Sequence, residues 1–252
     1  MMKKIHALFV PVAIFALTGP LAAQTPAPKP LRTLTYSYTY GTSTDLTIQS
    51  SGIAASSGDS SLGGGNPSGM DDYKAHIADQ GTITLDVKNV AKDGGLVVSI
   101  SQKGQNGRNA EPATCVVYHD SSVLCEPQKK VTEEEFALLR FVGKDFIDAT
   151  QIDAKGSWST TSRGPMNIAN KFHIDNAKNG MITLTEARSM TQKGVNGFTT
   201  TVDGKITYNS VRTVPVSIFE QDITRTDGGM GKYKTTNTQI QLNLKSDSDF
   251  PS

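Results

Sequence analysis

The sequence LTYSYTY, at residues 34–40, alternates large side chains with hydroxyl-bearing ones. A period of two is typical of a β-strand that buries one of its faces. The same pattern returns downstream, where Ile83, Leu85 and Val87 all occupy odd positions. We therefore expect a β-rich protein with the three tyrosines of residues 34–40 in its core; a tyrosine-lined ligand groove is the alternative.

Turn-forming residues divide the rest of the chain into short segments of similar length. Asp93-Gly94-Gly95 is followed by Leu96, Val98 and Ile100, which predicts a hairpin and its returning strand. This spacing favours an antiparallel meander. Further predicted turns carry Lys-Asn-Gly at 178–180, Val-Asn-Gly at 195–197, Asp-Gly-Lys at 203–205 and Asp-Gly-Gly at 227–229. The remaining predicted strands are 114–118, 122–125, 171–174, 182–185, 198–202, 206–208, 214–219, 223–226 and 239–244.

One helix interrupts the β pattern at residues 132–142. Thr132 and Glu135 have the spacing of a capping box, in which each side chain satisfies a backbone N–H at the start of the helix. Phe136, Leu139 and Val142 then fall on one helical face, which needs an apolar surface to cover it. The predicted fold is mainly β (α+β): a single curved antiparallel sheet or incomplete barrel of roughly 8–10 strands with one packed α-helix.

The N-terminus has the three parts of a secretory signal. Lys3 and Lys4 precede an apolar stretch at 5–17, and the small residues of Leu21-Ala22-Ala23 offer a cleavage site. We interpret 1–23 as a cleavable signal peptide, with a retained anchor as the minority alternative. The chain is therefore expected to be exported, to a periplasmic or extracellular location.

Two segments of unusual composition accompany the predicted domain, which runs over 31–252. Residues 24–30 are proline-rich and are expected to form an extended tether, since proline lacks a backbone donor. Residues 50–72 are rich in serine and glycine and offer almost nothing to bury. This composition predicts a flexible insert between two strands.

The charge balance excludes several classes of partner. Removal of Lys3 and Lys4 with the signal peptide leaves 23 of the 25 basic residues against 24 acidic ones, so the mature chain is close to neutral. The sequence contains no stripe of basic residues of the kind that would indicate nucleic acid binding. No second apolar stretch is long enough for a transmembrane helix, so we expect no membrane anchor after cleavage.

Cys115 and Cys125 are the only cysteines in the chain. They are placed symmetrically about His119-Asp120-Ser121, which has the composition of a hairpin turn. Two cysteines in an exported protein favour a structural disulfide, and no Cys-x-x-Cys or nearby histidine pair supports a metal or redox site.

The sequence indicates no catalytic, cofactor or metal residues. The residues 119–121 have the side chains of a hydrolase triad, but consecutive turn residues do not converge on one another. His76, His119 and His173 lack metal-ligand spacing. The sequence thus favours a non-enzymatic protein, although catalytic groups from distant strands leave an enzyme open.

Residues 175–186 resemble an EF-hand calcium loop. Asp175 is first, Gly180 sixth and Glu186 twelfth, but Ala177 stands at the third position and supplies no side-chain oxygen. The competing interpretation is a β-hairpin with Asn179-Gly180 in its turn, and the alternation on both sides favours it.

These observations leave two main functional classes open. A curved sheet closed by a helix would be similar in shape to exported lipid and lipoprotein carriers, so we favour a binding or carrier protein for an apolar ligand or envelope component. The alternative is a structural or adhesive surface protein, suggested by the Thr/Ser/Asn-rich strands and the tether. An outer-membrane barrel is less favoured, because aromatic content is low. The sequence does not determine the oligomeric state.

Overall fold

The computed structural model describes residues 30–48, 75–118, 122–143, 152–162, 167–193, 197–227 and 232–249. The predicted signal peptide at 1–23, nearly all of the tether at 24–30, the insert at 50–72 and the turn at 119–121 lie outside the described residues. None of the helices in the described ranges is long and apolar enough to cross a membrane.

Antiparallel strands make up most of the described chain, and a single short helix accompanies them. The helix is α1 (Glu133–Leu139). The strands are β1 (Arg32–Ile48), β2 (Ala75–Val90), β3 (Leu96–Gly104), β4 (Ala110–Val117), β5 (Val123–Cys125), β6 (Ser157–Ser162), β7 (Asn167–Lys178), β8 (Met181–Gln192), β9 (Phe198–Asn209), β10 (Val214–Asp227) and β11 (Lys232–Asp247).

The strands form one open sheet in the order β5-β4-β3-β2-β1-β11-β10-β9-β8-β7-β6. Strands that follow one another in sequence are neighbours, as in a meander, except for β5 and β6, which lie at opposite edges. The first and last strands, β1 and β11, pair at the centre. The edge strands β5 and β6 do not pair with each other, so the sheet is not closed into a barrel. The prediction of a single antiparallel sheet with one helix is confirmed.

The described sheet has eleven strands, and the expected 8–10 is therefore too low. One strand, β6, was not anticipated, because Ser157–Ser162 is short and polar apart from Trp158. The predicted turn at 203–205 is wrong, since β9 runs without a break through Gly204. Lys205 and Asp203 pair with residues of β10 on one side and β8 on the other, and this two-sided pairing overrides the local turn preference.

The two faces of the sheet differ in what covers them. On β1, Leu34, Tyr36, Tyr38 and Tyr40 are buried, while the intervening residues are partly or fully exposed. Because side chains alternate along a strand, the buried set marks the face against which α1 packs, here named the helix face, and the opposite side is the open face. The core prediction for the three tyrosines is confirmed.

The helix begins as predicted but buries a different set of side chains. Thr132 accepts from the backbone N–H of Glu135, and the Glu135 side chain accepts from the backbone N–H of Thr132, which completes the capping box. The helix ends at Leu139, three residues before the expected end at 142. The expectation for Phe136 is wrong: it is 46% exposed. The apolar residues that cover the sheet are Ala137, Leu138, Leu139, Phe141 and Val142.

The predicted disulfide is present. Cys115 and Cys125 are directly opposed on β4 and β5, and their Cα atoms are 4.0 Å apart. The bond ties the outermost strand β5 to the sheet next to the chain segment that leads into α1. The pairing follows from the hairpin geometry that the sequence indicates.

Candidate functional site

Several charged side chains lie on the helix face, where the rest of the surface is apolar. Phe172, Glu186, Gly204 and Glu220 are successive cross-strand partners on β7, β8, β9 and β10, so they form one row across the sheet. Two residues further along each strand, the next row contains Asn170, Arg188, Val202 and Asp222. Since the side-chain period is two, both rows project from the same face.

Arg140 completes this group from above, at the C-terminal cap of α1. Its Nη1 donates to Glu220 Oε1 at 3.0 Å, and its Nη2 donates to Glu186 Oε1. The two carboxylates are 0–1% exposed and the guanidinium 10% exposed. Burial by itself lowers the pKa of Arg140, but the charges of Glu220 and Glu186 outweigh it and raise that pKa above its ordinary value.

Arg188 and Asp222 extend the group along the sheet. Arg188 Nη2 donates to Glu220 Oε2 at 3.4 Å, and its Nη1 lies 4.0 Å from Glu186 Oε1. Burial, and then the charge of Glu220, raise the pKa of Asp222 to about 7, against the opposing effect of Arg188. We name Arg140, Glu186, Arg188, Glu220 and Asp222 the charged cluster.

The charged cluster is incompletely satisfied. Glu186 Oε2, Arg188 Nε and Asp222 Oδ1 are buried and have no hydrogen-bond partner among the described residues. A buried polar group that lacks a partner costs about 1–3 kcal/mol, and more when it is charged. Such atoms are expected at functional sites, where stability is given up for an interaction made with something else.

Gly204 leaves room in the middle of the charged cluster. It lies between Glu186 and Glu220 in the row, and the position of a Cβ at residue 204 would be 3.3 Å from Glu186 Oε2. It would also be 3.5 Å from Ile206 Cδ1. Any side chain larger than glycine would therefore occupy the space beside the unpartnered oxygen.

Apolar surface adjoins the charged cluster on two sides. Leu184, Ile206, Ile218 and Leu242 form the next row toward the far end of the sheet, and all four are fully buried. At the β6 side, the ring of Trp158 stacks on that of Phe172, with 4.9 Å between the ring centroids. The site thus combines buried charge with a continuous apolar wall.

A second ion pair holds the start of α1. Arg108 Nε and Nη2 each donate to Glu134 at 2.9 Å, one to each carboxylate oxygen, and the guanidinium lies 3.7 Å above the centre of the Tyr40 ring. Thr132 Oγ1 donates to Gln102 Oε1 at 2.8 Å. The helix is therefore attached to the sheet by ion pairs at both ends, through Arg108 and through Arg140.

The residues that the sequence singled out for possible chemistry lie outside the charged cluster, apart from Glu186. Residues 175–186 form the β7–β8 hairpin, with Asn179 and Gly180 in the turn at positive φ. In the described part of the chain, no group of three or more His, Cys, Asp or Glu side chains is arranged to hold a metal ion. His173 shares a 2.9 Å hydrogen bond with partly exposed Ser157 on the open face, beside a depression of about 360 Å³ that Lys171 and Asp203 also line.

The sequence reasoning missed the charged cluster, although a signal for it was present. In β8, Leu184, Glu186 and Arg188 share one parity, and in β10 Ile218 is followed at the same parity by Glu220 and Asp222. Ionisable residues at positions that the pattern assigns to the core need a partner or a function. Two strands of one sheet that break the pattern in this way, here with only β9 between them, indicate a buried polar site.

Comparisons with known proteins give no family. No protein-family model and no curated protein matches the chain. Among solved structures, the chain is similar to lipovitellin, from a structure concerned with lipid–protein interactions, at a TM-score of 0.45 and 8% identity. The match covers 89% of this chain and 26% of lipovitellin, so this chain spans about a quarter of that protein. A likeness at this level carries no conclusion about function.

Proposed function

We propose that this chain is an exported, non-enzymatic binding protein that carries an apolar ligand with a polar head against the helix face of its sheet. The observation that carries this proposal is the charged cluster, with its three unpartnered atoms, directly beside a fully buried apolar row. Ligand sites are typically apolar surfaces with a few convergent polar groups. Export rests on residues 1–23, and the disulfide is the bond expected in an oxidising compartment.

A core without a binding role accounts poorly for the charged cluster. Replacing a buried ion pair by packed apolar side chains is often neutral or stabilising, by about 1–4 kcal/mol. The neighbouring row, with Leu184 and Ile218 at 0% exposure, shows that these strands accept apolar residues at the same depth. The retained charges therefore favour recognition of a ligand over support of the sheet.

The helix α1 and the residues just after it, up to Val142, form a cover over the apolar surface, and a ligand can displace this cover. An isolated helix of seven residues is not stable in water, so α1 depends on its contacts with the sheet. Leu138, Leu139 and Phe141 fill the apolar surface, while Arg108 and Arg140 hold the two ends by ion pairs. In our proposal, the apolar part of the ligand takes the place of these side chains when the cover shifts.

Binding of a simple amphiphile tests the proposal. Dodecanol, dodecanoate and dodecylamine, each below its micellar concentration, are titrated into the delipidated mature chain, with Trp158 fluorescence and native mass spectrometry as readouts. We expect at least one to bind with one-to-one stoichiometry. If none of the three changes the fluorescence or remains attached, the proposal is wrong.

A matched pair of variants tests whether the ligand displaces the buried side chains of the cover. Phe141→Leu replaces a fully buried ring of the cover, just after the end of α1, whereas Phe136→Leu makes the same change at a half-exposed position within α1. We expect Phe141→Leu to tighten binding severalfold, because it weakens the competitor for the apolar surface, and Phe136→Leu to leave binding unchanged. Equal effects of the two changes would contradict displacement of the cover.

A structural or adhesive role is the second candidate. The edge strands β5 and β6 each pair on one side only, and Phe219 and Ile223 are 42–43% exposed on the open face. Exposed edges and apolar patches favour association with other chains. Light scattering that shows concentration-dependent assembly, in a chain that binds no amphiphile, would favour this role.

A further inference from the structure

The cover of the helix face has the chemical form of a cationic amphiphile. Arg140 places a guanidinium between Glu186 and Glu220, and the residues just before and after it, Leu139 and Phe141, are fully buried on the apolar surface. One positive group and its adjoining apolar side chains thus fill the site together. A ligand that displaces this cover has to satisfy the same surface.

The carboxylates set the charge that such a ligand must bring. Glu186 and Glu220 are 0–1% exposed, so neither can be solvated by bulk water in place of a counter-ion. When Arg140 moves away with the cover, Arg188 alone remains beside them, at 4.0 Å from Glu186 Oε1 and 3.4 Å from Glu220 Oε2. A neutral or anionic head would leave buried negative charge uncompensated.

The charged cluster leaves hydrogen-bond acceptors without a donor even with the cover in place. It contains three carboxylates and two guanidinium groups, and two of its three unpartnered atoms, Glu186 Oε2 and Asp222 Oδ1, are hydrogen-bond acceptors. Glu186 Oε2 faces the room left by Gly204, where an atom at the Cβ position would be 3.3 Å away. An ammonium nitrogen that comes within hydrogen-bond distance of Glu186 Oε2 would donate to this unpartnered oxygen.

We infer that the charged cluster is a head-group site for a cationic amphiphile, with a primary amine or guanidine as its head and an apolar chain along the helix face. This inference rests on the proposed binding function and adds to it the charge of the ligand. Glu186 and Glu220 are the residues that bind the head, and Gly204 provides the space for it. Arg188 holds the two carboxylates in position.

Three probes with the same twelve-carbon tail test the inference. Dodecylamine, dodecanol and dodecanoate are compared at pH 7 by calorimetry and by the fluorescence of Trp158, the only tryptophan. That side chain is two strands from Glu186 in the same row, which places it about 10 Å away and makes it a local reporter. We expect dodecylamine to bind at least tenfold more tightly than dodecanol, and dodecanoate more weakly than either.

Variants locate the preference at the charged cluster. Glu186→Gln keeps the shape of the side chain and removes its charge, and we expect it to reduce the ratio of dodecylamine to dodecanol affinity about tenfold. Asp203→Asn removes a carboxylate from the open face of the next strand, and we expect the ratio to stay the same. Because the ratio is measured within each variant, partial unfolding does not alter it. Gly204→Ala is the second variant, since it fills the space beside Oε2 without changing charge.

The outcomes separate this inference from the proposed function. If dodecanol and dodecanoate bind as tightly as dodecylamine, the head-group inference is overturned while the carrier proposal stands. A dodecylamine preference that neither Glu186→Gln nor Gly204→Ala reduces also overturns it, because the amine then binds elsewhere. If no probe binds at all, the proposed function itself fails.

Discussion

Replacement of Arg140 by methionine should destabilise the protein strongly. The change keeps much of the side-chain volume but removes the cation that lies between two buried carboxylates. A pair of opposite charges 4 Å apart interacts by about 4 kcal/mol at an effective dielectric constant of 20. Breaking a buried pair costs about 3–5 kcal/mol net, because the remaining charge is left without compensation.

The structure places the expected loss at the lower end of that range. Arg188 Nη2 remains 3.4 Å from Glu220 Oε2 and takes over part of the compensation. We therefore expect Arg140→Met to lower the free energy of unfolding by about 3 kcal/mol. For a chain of this size, that loss corresponds to a fall in Tm of roughly 6–12 °C.

Urea unfolding followed by Trp158 fluorescence and by far-UV circular dichroism measures the effect. Lys205→Met is the matched control, because it removes a cation of the same sheet from an exposed position, and it should change stability by less than about 0.5 kcal/mol. The double variant Arg140→Met/Glu186→Gln should lose less than the sum of its two single changes, by about 1 kcal/mol or more.

Two results would refute this reasoning. A loss below about 1 kcal/mol for Arg140→Met is the value of an exposed ion pair, and it would show that water reaches the two carboxylates. Strict additivity in the double variant would show that Arg140 and Glu186 do not interact in solution.

Three further changes test other parts of the structure. Replacing both Cys115 and Cys125 by serine should cost about 2–3 kcal/mol, the loop-closure value for the ten-residue separation, and adding a reductant should reproduce the loss in the unaltered chain. Gly104→Ala would put a methyl group 2.2 Å from a buried carboxylate and should destabilise by more than about 2 kcal/mol, whereas Gly41→Ala meets nothing within 4 Å and should be nearly neutral in the same urea assay. The pKa of Asp222 is raised in the folded state to about 7, so the folded chain holds a proton that the unfolded chain loses, and the contribution of this group to stability falls as pH rises from about 4 to about 7. Asp222→Asn removes this pH dependence, so its free energy of unfolding relative to the unaltered chain should rise by about 1–2 kcal/mol between pH 5 and pH 8, after allowance for the partial exposure of Asp222. An equal difference in stability at both pH values would contradict the raised pKa.

Several elements follow from local sequence alone. The alternation in residues 34–40 fixes which side chains of β1 are buried, because a strand turns successive residues to opposite faces. The capping box fixes the start of α1, since it satisfies backbone donors within four residues. Cys115 and Cys125 meet because a short hairpin determines its own register.

Other features depend on contacts that no short window contains. Gly204 has the local chemistry of a turn, but pairing with β8 and β10 keeps it in a strand. Phe136 has the period of a buried helical residue, but Leu138 and Leu139 take the buried positions, and Arg140 pairs with carboxylates on distant strands. In both cases a long-range contact outweighs a local preference of less than about 1 kcal/mol.

The sequence by itself determined the class of fold, the start of the helix and the disulfide, since each depends on the spacing of residues close together in the chain. Only the tertiary structure decided that Arg140, Glu186 and Glu220 meet, because they come from three elements separated by 46 and 80 positions relative to Arg140. The physical reason is the sheet register, which aligns Glu186, Gly204 and Glu220 in one row and leaves the centre of that row open. A charge that looks solvated in the sequence thereby becomes part of a buried charged cluster.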